Sequence, residues 1–386
     1  MKLFSGRAFI VILAVCQGLG LIIGKILLLT GALVSQKLTT YPSLVTLPVA
    51  LIMVGAALCI FWIPHLARKI GIKTAHLLSC VVGIMGTALS AYATIIHSFW
   101  LLCIGFLLVG VYYAFLQFYR FLAADTAKPE YKSRAISWVI FGGIAAALLG
   151  PELAKWTQGL LSGWPYEATY ISITILMLIV LLSLAMSNFS HLPLPQLGKH
   201  VRYRELIKHR SFAIGTFCGM IAYANMMLIM TSTPLAIVHV FHQPFSIAVL
   251  VLQAHFLGMF LPALVTGKWV SRYGSKTIMW GGIAMLAIGP LTLMVNHHLP
   301  ALLIGLFLVG AGWNFLFIAS TTVVSHAYTP EQALHAQGLN NVVIFGLTAL
   351  IGLLSGPILY FIGWTWLNII GIVLALMAGL AVLLYE

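Results

Sequence analysis

Nineteen consecutive residues from Leu44 to Trp62 carry no charge, and the 21 residues from Asn340 to Tyr360 repeat the pattern. A helix rises 1.5 Å per residue, so about 20 such residues cross the hydrocarbon of a bilayer. Lipid offers no partner for backbone amides and carbonyls, and a helix satisfies its own. Dividing the chain at its polar breaks gives twelve such segments. They are 8–34, 43–66, 74–96, 100–124, 135–156, 169–189, 211–238, 245–267, 276–296, 300–325, 336–360 and 364–385. Only 7% of the 386 residues are charged, against about 25% in a soluble domain. The chain's solvent is therefore lipid, and the expected fold class is an all-α membrane protein. The first apolar stretch, Phe9–Val34, is too long for the core of a signal peptide, so no cleavable leader is expected.

Lys and Arg set the orientation. With the N-terminus in the cytoplasm, 17 of the 20 fall on inner loops and helix ends. The outer side holds Lys37 and Lys155, and Lys25 lies within the first segment. Such asymmetry fixes topology, and it accounts for the +13 net charge through anionic inner-leaflet lipid, without nucleic acid. Both termini are expected in the cytoplasm, and short loops suggest a bacterial inner membrane. The longest polar stretch, Ser187–Ser211, reads as a cytoplasmic linker. The expected organisation is a six-helix bundle over 1–189, a linker over 190–210 and a second bundle over 211–386.

The halves are written twice. "IGFLLVGVYYAF" (Ile104–Phe115) returns as "IGLFLVGAGWNF" (Ile304–Phe315). "GIKT" (Gly71–Thr74) returns as "GSKT" (Gly274–Thr277), "KPE" (Lys128–Glu130) as "TPE" (Thr329–Glu331), and the "VIFGG…LLGP" of the fifth segment as "VIFGL…LSGP". The matches keep their order while the offset drifts only from 200 to 206 residues. Two parallel six-helix repeats joined by a basic linker form the plan of transporters that bind substrate near the midplane.

Over its whole length the chain resembles the major facilitator superfamily. "ARKIGIK" (Ala67–Lys73) and "SRYGSK" (Ser271–Lys276) are similar to that family's cytoplasmic Asp-Arg-x-Gly-Arg-Lys loop, though Arg68 and Ser271 stand where its acid is expected. Asp125 resembles the family's acid at the end of the fourth helix. "LGPELA" (Leu149–Ala154) is similar to the Gly-Pro motif of drug/proton antiporters, while Val111 stands where such exporters carry a basic residue. The resemblance implies two pseudo-symmetric bundles working by alternating access, with Arg120, Asp125, Arg68 and Arg272 as gating residues.

Ionisable groups inside a membrane are expensive and mark function. Lys25 lies about 17 residues into the first segment, too deep to reach water easily. It either holds an anionic substrate or pairs with Glu152, the one acid well inside a span. Glu152 in turn either couples proton movement to transport or is neutralised by Lys155 at i+3. Further substrate-facing candidates in the first half are Gln17, Tyr112, Tyr113 and Gln117. In the second half they are Tyr223, Asn225, Gln253 and His255, with Trp313, Asn314, Asn340 and Asn341. Trp313 and Asn314 occupy the repeat positions of Tyr113 and Ala114, a divergence that suits one asymmetric ligand.

Five scattered cysteines form neither a disulfide framework nor a metal site. No span brings together metal ligands or a nucleophile with its base, and no Walker motif appears, so an enzyme, a metal carrier and an ATP-driven pump are not expected, nor is any cofactor. The expected partners are a small-molecule substrate, protons and the bilayer, with the chain acting as a monomer. The leading reading is a secondary transporter of a small organic anion or zwitterion. Lys25 and the amides favour it. Export of lipophilic or cationic compounds is favoured by the "LGP" motif, the aromatics and 14 methionines. A receptor built on a carrier fold is the remote alternative.

Overall fold

The structure, a computed structural model, describes residues 7–60, 62–128, 132–161, 165–189, 203–295, 297–329 and 332–384. Residues 190–202 of the expected linker, and most of the "KPE" and "TPE" repeats, lie outside them.

The described residues are helical, with no strand among them. In chain order the helices are α1 (Arg7–Leu38), α2 (Leu47–Ile60), α3 (Ile63–Ile70), α4 (Ile72–Ile95), α5 (Phe99–Leu116), α6 (Tyr119–Thr126), α7 (Lys132–Thr157) and α8 (Glu167–Ala185). They continue as α9 (Tyr203–Lys208), α10 (Arg210–Leu235), α11 (Phe245–Phe260), α12 (Ala263–Tyr273), α13 (Ser275–Val295), α14 (Leu299–Ser325), α15 (Ala333–Pro357) and α16 (Trp364–Leu383). Eleven spans among the described residues are long and apolar enough to cross a membrane. The expected span 135–156 lies within α7. Exposed Leu, Ile, Val and Trp side chains cover the helices' outer faces, as contact with lipid requires.

Two compact units emerge. One comprises Met1–Thr40 and Leu51–Leu197, the other Tyr41–Ala50 and Gly198–Glu386. The stretch Tyr41–Ala50 belongs to the second unit through Thr46, whose hydroxyl donates to the Leu353 carbonyl at 2.8 Å and accepts from the Gly356 amide at 3.3 Å.

The duplication is visible atom by atom. In the first unit α4 and α5 cross so closely that a Cβ on Gly86 would lie 2.7 Å from the Gly105 carbonyl oxygen. In the second, α13 and α14 cross with a Cβ on Gly289 falling 2.8 Å from the Gly305 carbonyl oxygen. Gly55 and Gly110 likewise meet the backbone of the opposite helix, and so do their counterparts Gly258 and Gly310. Without a hydrophobic drive between helices in lipid, small residues that let backbones touch are what hold them together. The repeated "GxKT" loops match too. Gly71 and Gly274 have φ of 88° and 83°, in a region that glycine adopts readily.

Pro64 lies in the first turn of α3, and Pro262 stands between α11 and α12, just before the latter begins. A proline has no N–H to give to the preceding turn, so the helix must stop or bend there.

Candidate functional site

In the first unit α1 carries Gln17 and Lys25. Lys25 is 5% exposed, and its stem packs on α7, where a Cβ on Gly150 would lie 3.0 Å from the Lys25 Cβ. Beside it opens a cavity of about 20 Å³, lined by Gly20, Gly24, Lys25, Met53, Tyr112 and Tyr113 among others. That is room for one water. Glu152 of α7 pairs with Lys155 at 3.8 Å, the i,i+3 neighbour. Gln17 and Tyr113 are half-buried; Tyr113 neighbours Gln117 and Arg120 one and two turns further along the chain. The Gln17 carbonyl oxygen is buried without a hydrogen-bond partner among the described residues.

The second unit brings four rings together. Trp313 and Phe317 are four residues apart on α14, hence on one face, and they stack with centroids 5.4 Å apart and 13° between planes. Tyr223 of α10 meets both edge-on, at 5.2 Å and 4.9 Å, and Phe345 of α15 meets Tyr223 at 5.9 Å. Edge-to-face contacts suit the ring quadrupole, a negative face against a positive edge. Trp313 is 8% exposed, and its indole N–H finds no acceptor among the described residues. A buried donor of that kind is costly unless something satisfies it. Asn341 stands one turn before Phe345 on α15 and is half-buried, and the buried Asn340 beside it has a carbonyl oxygen with no hydrogen-bond partner among the described residues.

Three polar residues expected to face a substrate are taken up in packing. Asn225 donates to the Gly371 carbonyl at 2.6 Å, joining α10 to α16. Asn314 donates to the Met259 carbonyl at 2.8 Å and accepts from the Thr266 hydroxyl at 2.7 Å. His255, fully buried, places Nδ1 2.9 Å from the Leu306 carbonyl. In each case a neighbouring helix presents a backbone carbonyl within reach, and the side chain bonds to it.

The expected gating residues Arg68, Arg120, Asp125 and Arg272 are exposed, and Arg272 lies over the Tyr273 ring at 5.3 Å. Lys73, in the first turn of α4, bonds to the end of another helix. Its ammonium donates to the carbonyls of Ala185 and Ser187 at 2.6 and 2.8 Å, where the last turn of α8 leaves carbonyls unpaired and negative. Phe317 and Phe345 also escaped the sequence reading, although the i,i+4 spacing from Trp313 and Asn341 was a usable signal.

Residues 215–386 match the family profile described as Major Facilitator Superfamily. The riboflavin transporter RfnT of Brucella anthropi is 34% identical over 94% of this chain and 92% of its own length. The MFS-type transporter YddS of Bacillus subtilis is 26% identical over 90% of this chain and 84% of its own. Among solved structures the nucleoside transporter NupG superposes with a TM-score of 0.76 at 15% identity, covering 98% of this chain and 99% of that one. A bacterial homologue of the human lysosomal transporter Spinster reaches 0.72 at 13% identity, covering 98% and 96%. These structures share the fold of two helical repeats. With the internal duplication, the membrane-length helices and a near full-length relative in agreement, this chain belongs to the major facilitator superfamily and is a membrane transporter of small molecules.

Proposed function

We propose that this transporter carries a planar heteroaromatic solute of the riboflavin kind. The observation that carries the reading is the ring group of Tyr223, Trp313, Phe317 and Phe345, with the buried Trp313 N–H available to a ring carbonyl or nitrogen. Aromatic faces and edges recognise a flat ring system, and a single placed donor orients it. The likeness to RfnT supports the same solute class. The proposal includes proton coupling and a single-chain carrier in a bacterial inner membrane with both termini cytoplasmic. The inward bias of 17 of 20 Lys and Arg supports that orientation.

A second reading, a small organic anion or zwitterion, is favoured by Lys25 at its water-sized cavity. The deciding experiment is counterflow in reconstituted vesicles with riboflavin, with its anionic phosphate ester and with a panel of small carboxylates. The heteroaromatic reading expects riboflavin to exchange, its binding to quench tryptophan fluorescence, and Trp313→Phe to weaken both. If carboxylates exchange instead and Lys25→Ala abolishes their transport, the second reading takes its place.

A further inference from the structure

A second buried polar group lies wholly within the first unit. His76, near the start of α4, is 2% exposed, with Nδ1 2.9 Å from the Ile72 carbonyl. Its ring lies beside Tyr119 of α6 with centroids 5.7 Å apart, and edge-on to Phe115 of α5 at 5.3 Å. The Nε2 atom has no hydrogen-bond partner among the described residues, and neither do the hydroxyls of Tyr112 and Tyr119. Those two tyrosines are 1% and 0% exposed, and their hydroxyls are neighbours. The Cys80 thiol, one turn after His76, adjoins the Tyr119 hydroxyl, and Cys16 of α1 closes the group.

Buried polar atoms are almost always satisfied, so an unpartnered His76 Nε2 beside two phenols that have little but each other and a thiol calls for a small molecule to serve it. Water is the molecule that fits such sites. Tyr112 ties the group to Lys25. A Cβ on Gly20 would lie 2.5 Å from the Tyr112 hydroxyl, and both residues line the cavity beside Lys25. From Lys25 to Cys16 is about 13 Å of α1.

We infer that the first unit holds a proton relay, running from the Lys25 cavity through water and the hydroxyls of Tyr112 and Tyr119 to His76. A phenol hydroxyl accepts a proton on one lone pair while giving up its own, so the ring need never ionise. The imidazole takes the proton at Nε2 and holds it as an imidazolium while its Nδ1–H stays on the Ile72 carbonyl, and it returns the proton by the same atom. The titratable groups facing His76 are Cys80 on its own helix and Tyr119 opposite. Cys16 and Cys80 face Tyr112; beside Lys25 stand Tyr112, Tyr113 and, from α7, Gly150 with Glu152 two residues on. The inference rests on the proton-coupled reading above and gives the coupling proton a holding site inside one bundle.

The test uses the purified protein in vesicles with riboflavin as solute. Counterflow at equal pH moves no net protons, whereas accumulation driven by a pH gradient does. The wild type is expected to do both. Tyr119→Phe and His76→Asn are expected to keep counterflow, which also shows that they fold, and to lose the pH-driven accumulation. The relay is overturned if either variant accumulates riboflavin as the wild type does, or if the wild type exchanges riboflavin yet ignores the gradient. If riboflavin does not move at all, the solute reading has failed. The relay is then judged without a solute, by exchange of the His76 ring carbon hydrogen in deuterated water as a function of pH, read by mass spectrometry. The same profile decides if a variant loses counterflow as well. A connected imidazole gives a sigmoidal profile that Tyr119→Phe flattens. A flat wild-type profile, or one the variant leaves unchanged, rules the relay out.

Discussion

Asn314 and Thr266 meet at 2.7 Å, the threonine hydroxyl donating to the carboxamide oxygen, while the same carboxamide donates to the Met259 carbonyl at 2.8 Å. Met259 lies before the Leu261–Pro262 break and Thr266 after it, so one side chain of α14 pins both ends of an interrupted helix. Asn314→Leu keeps the volume and removes both bonds. The expected loss is about 1–2 kcal/mol for the two hydrogen bonds removed, the Thr266 hydroxyl keeping the Pro262 carbonyl at 2.7 Å, seen as a lower melting temperature in detergent. A substrate contact at this position would instead leave the melting temperature alone and weaken binding.

Lys73 caps the end of α8 through two carbonyls. Lys73→Met keeps the aliphatic stem and removes the charge and the donors. A cost of about 1–2 kcal/mol is expected from losing a cation at a helix C-terminus together with its hydrogen bonds. Thermal unfolding of the two proteins side by side measures it. An unchanged midpoint would mean that the lysine is merely surface charge.

The twin crossings at Gly86 and Gly289 leave no room for a methyl group. Gly86→Ala and Gly289→Ala should each destabilise the protein by about 1–3 kcal/mol through overpacking. The prediction that matters is their similarity, because the two crossings have one geometry. Melting curves for both variants would show whether one half tolerates the methyl while the other does not.

Trp313→Phe retains a six-membered ring for Phe317 and Tyr223 and deletes the indole's second ring with its N–H. If that donor meets the solute, losing about 1 kcal/mol of hydrogen bond weakens riboflavin binding about fivefold. Without solute, removing an unsatisfied donor offsets part of the packing lost with the smaller ring, so stability should fall by less than the about 3–5 kcal/mol of a full aromatic truncation. Fluorescence titration and a melting curve read the two halves of this prediction.

The fold was legible because lipid leaves little choice: apolar length declares a span, and a drifting offset declares a duplication. The site was less so. A polar residue inside a span is satisfied either by a ligand or by the protein, and a sequence displays the residue without its partner. Asn225 meets a carbonyl 146 positions away, and Asn314 meets Thr266 across 48. Lys73 looked like one more charge in a gating loop because its partners are backbone carbonyls, which every residue owns. His76 and Tyr119 drew no notice because nothing in their spacing announces that their rings meet. Trp313 stood out only because the other copy of its motif has tyrosine there.

The glycine crossings also bear on how such a chain changes its cargo. Where backbones touch directly, the spacing of α4 to α5 and of α13 to α14 does not depend on which large side chains line the rest of those helices. Residues such as Trp313 can then be exchanged without disturbing the frame that presents them. Each half thus keeps its architecture in the positions that have no side chain, and is free to revise its chemistry in the positions that do.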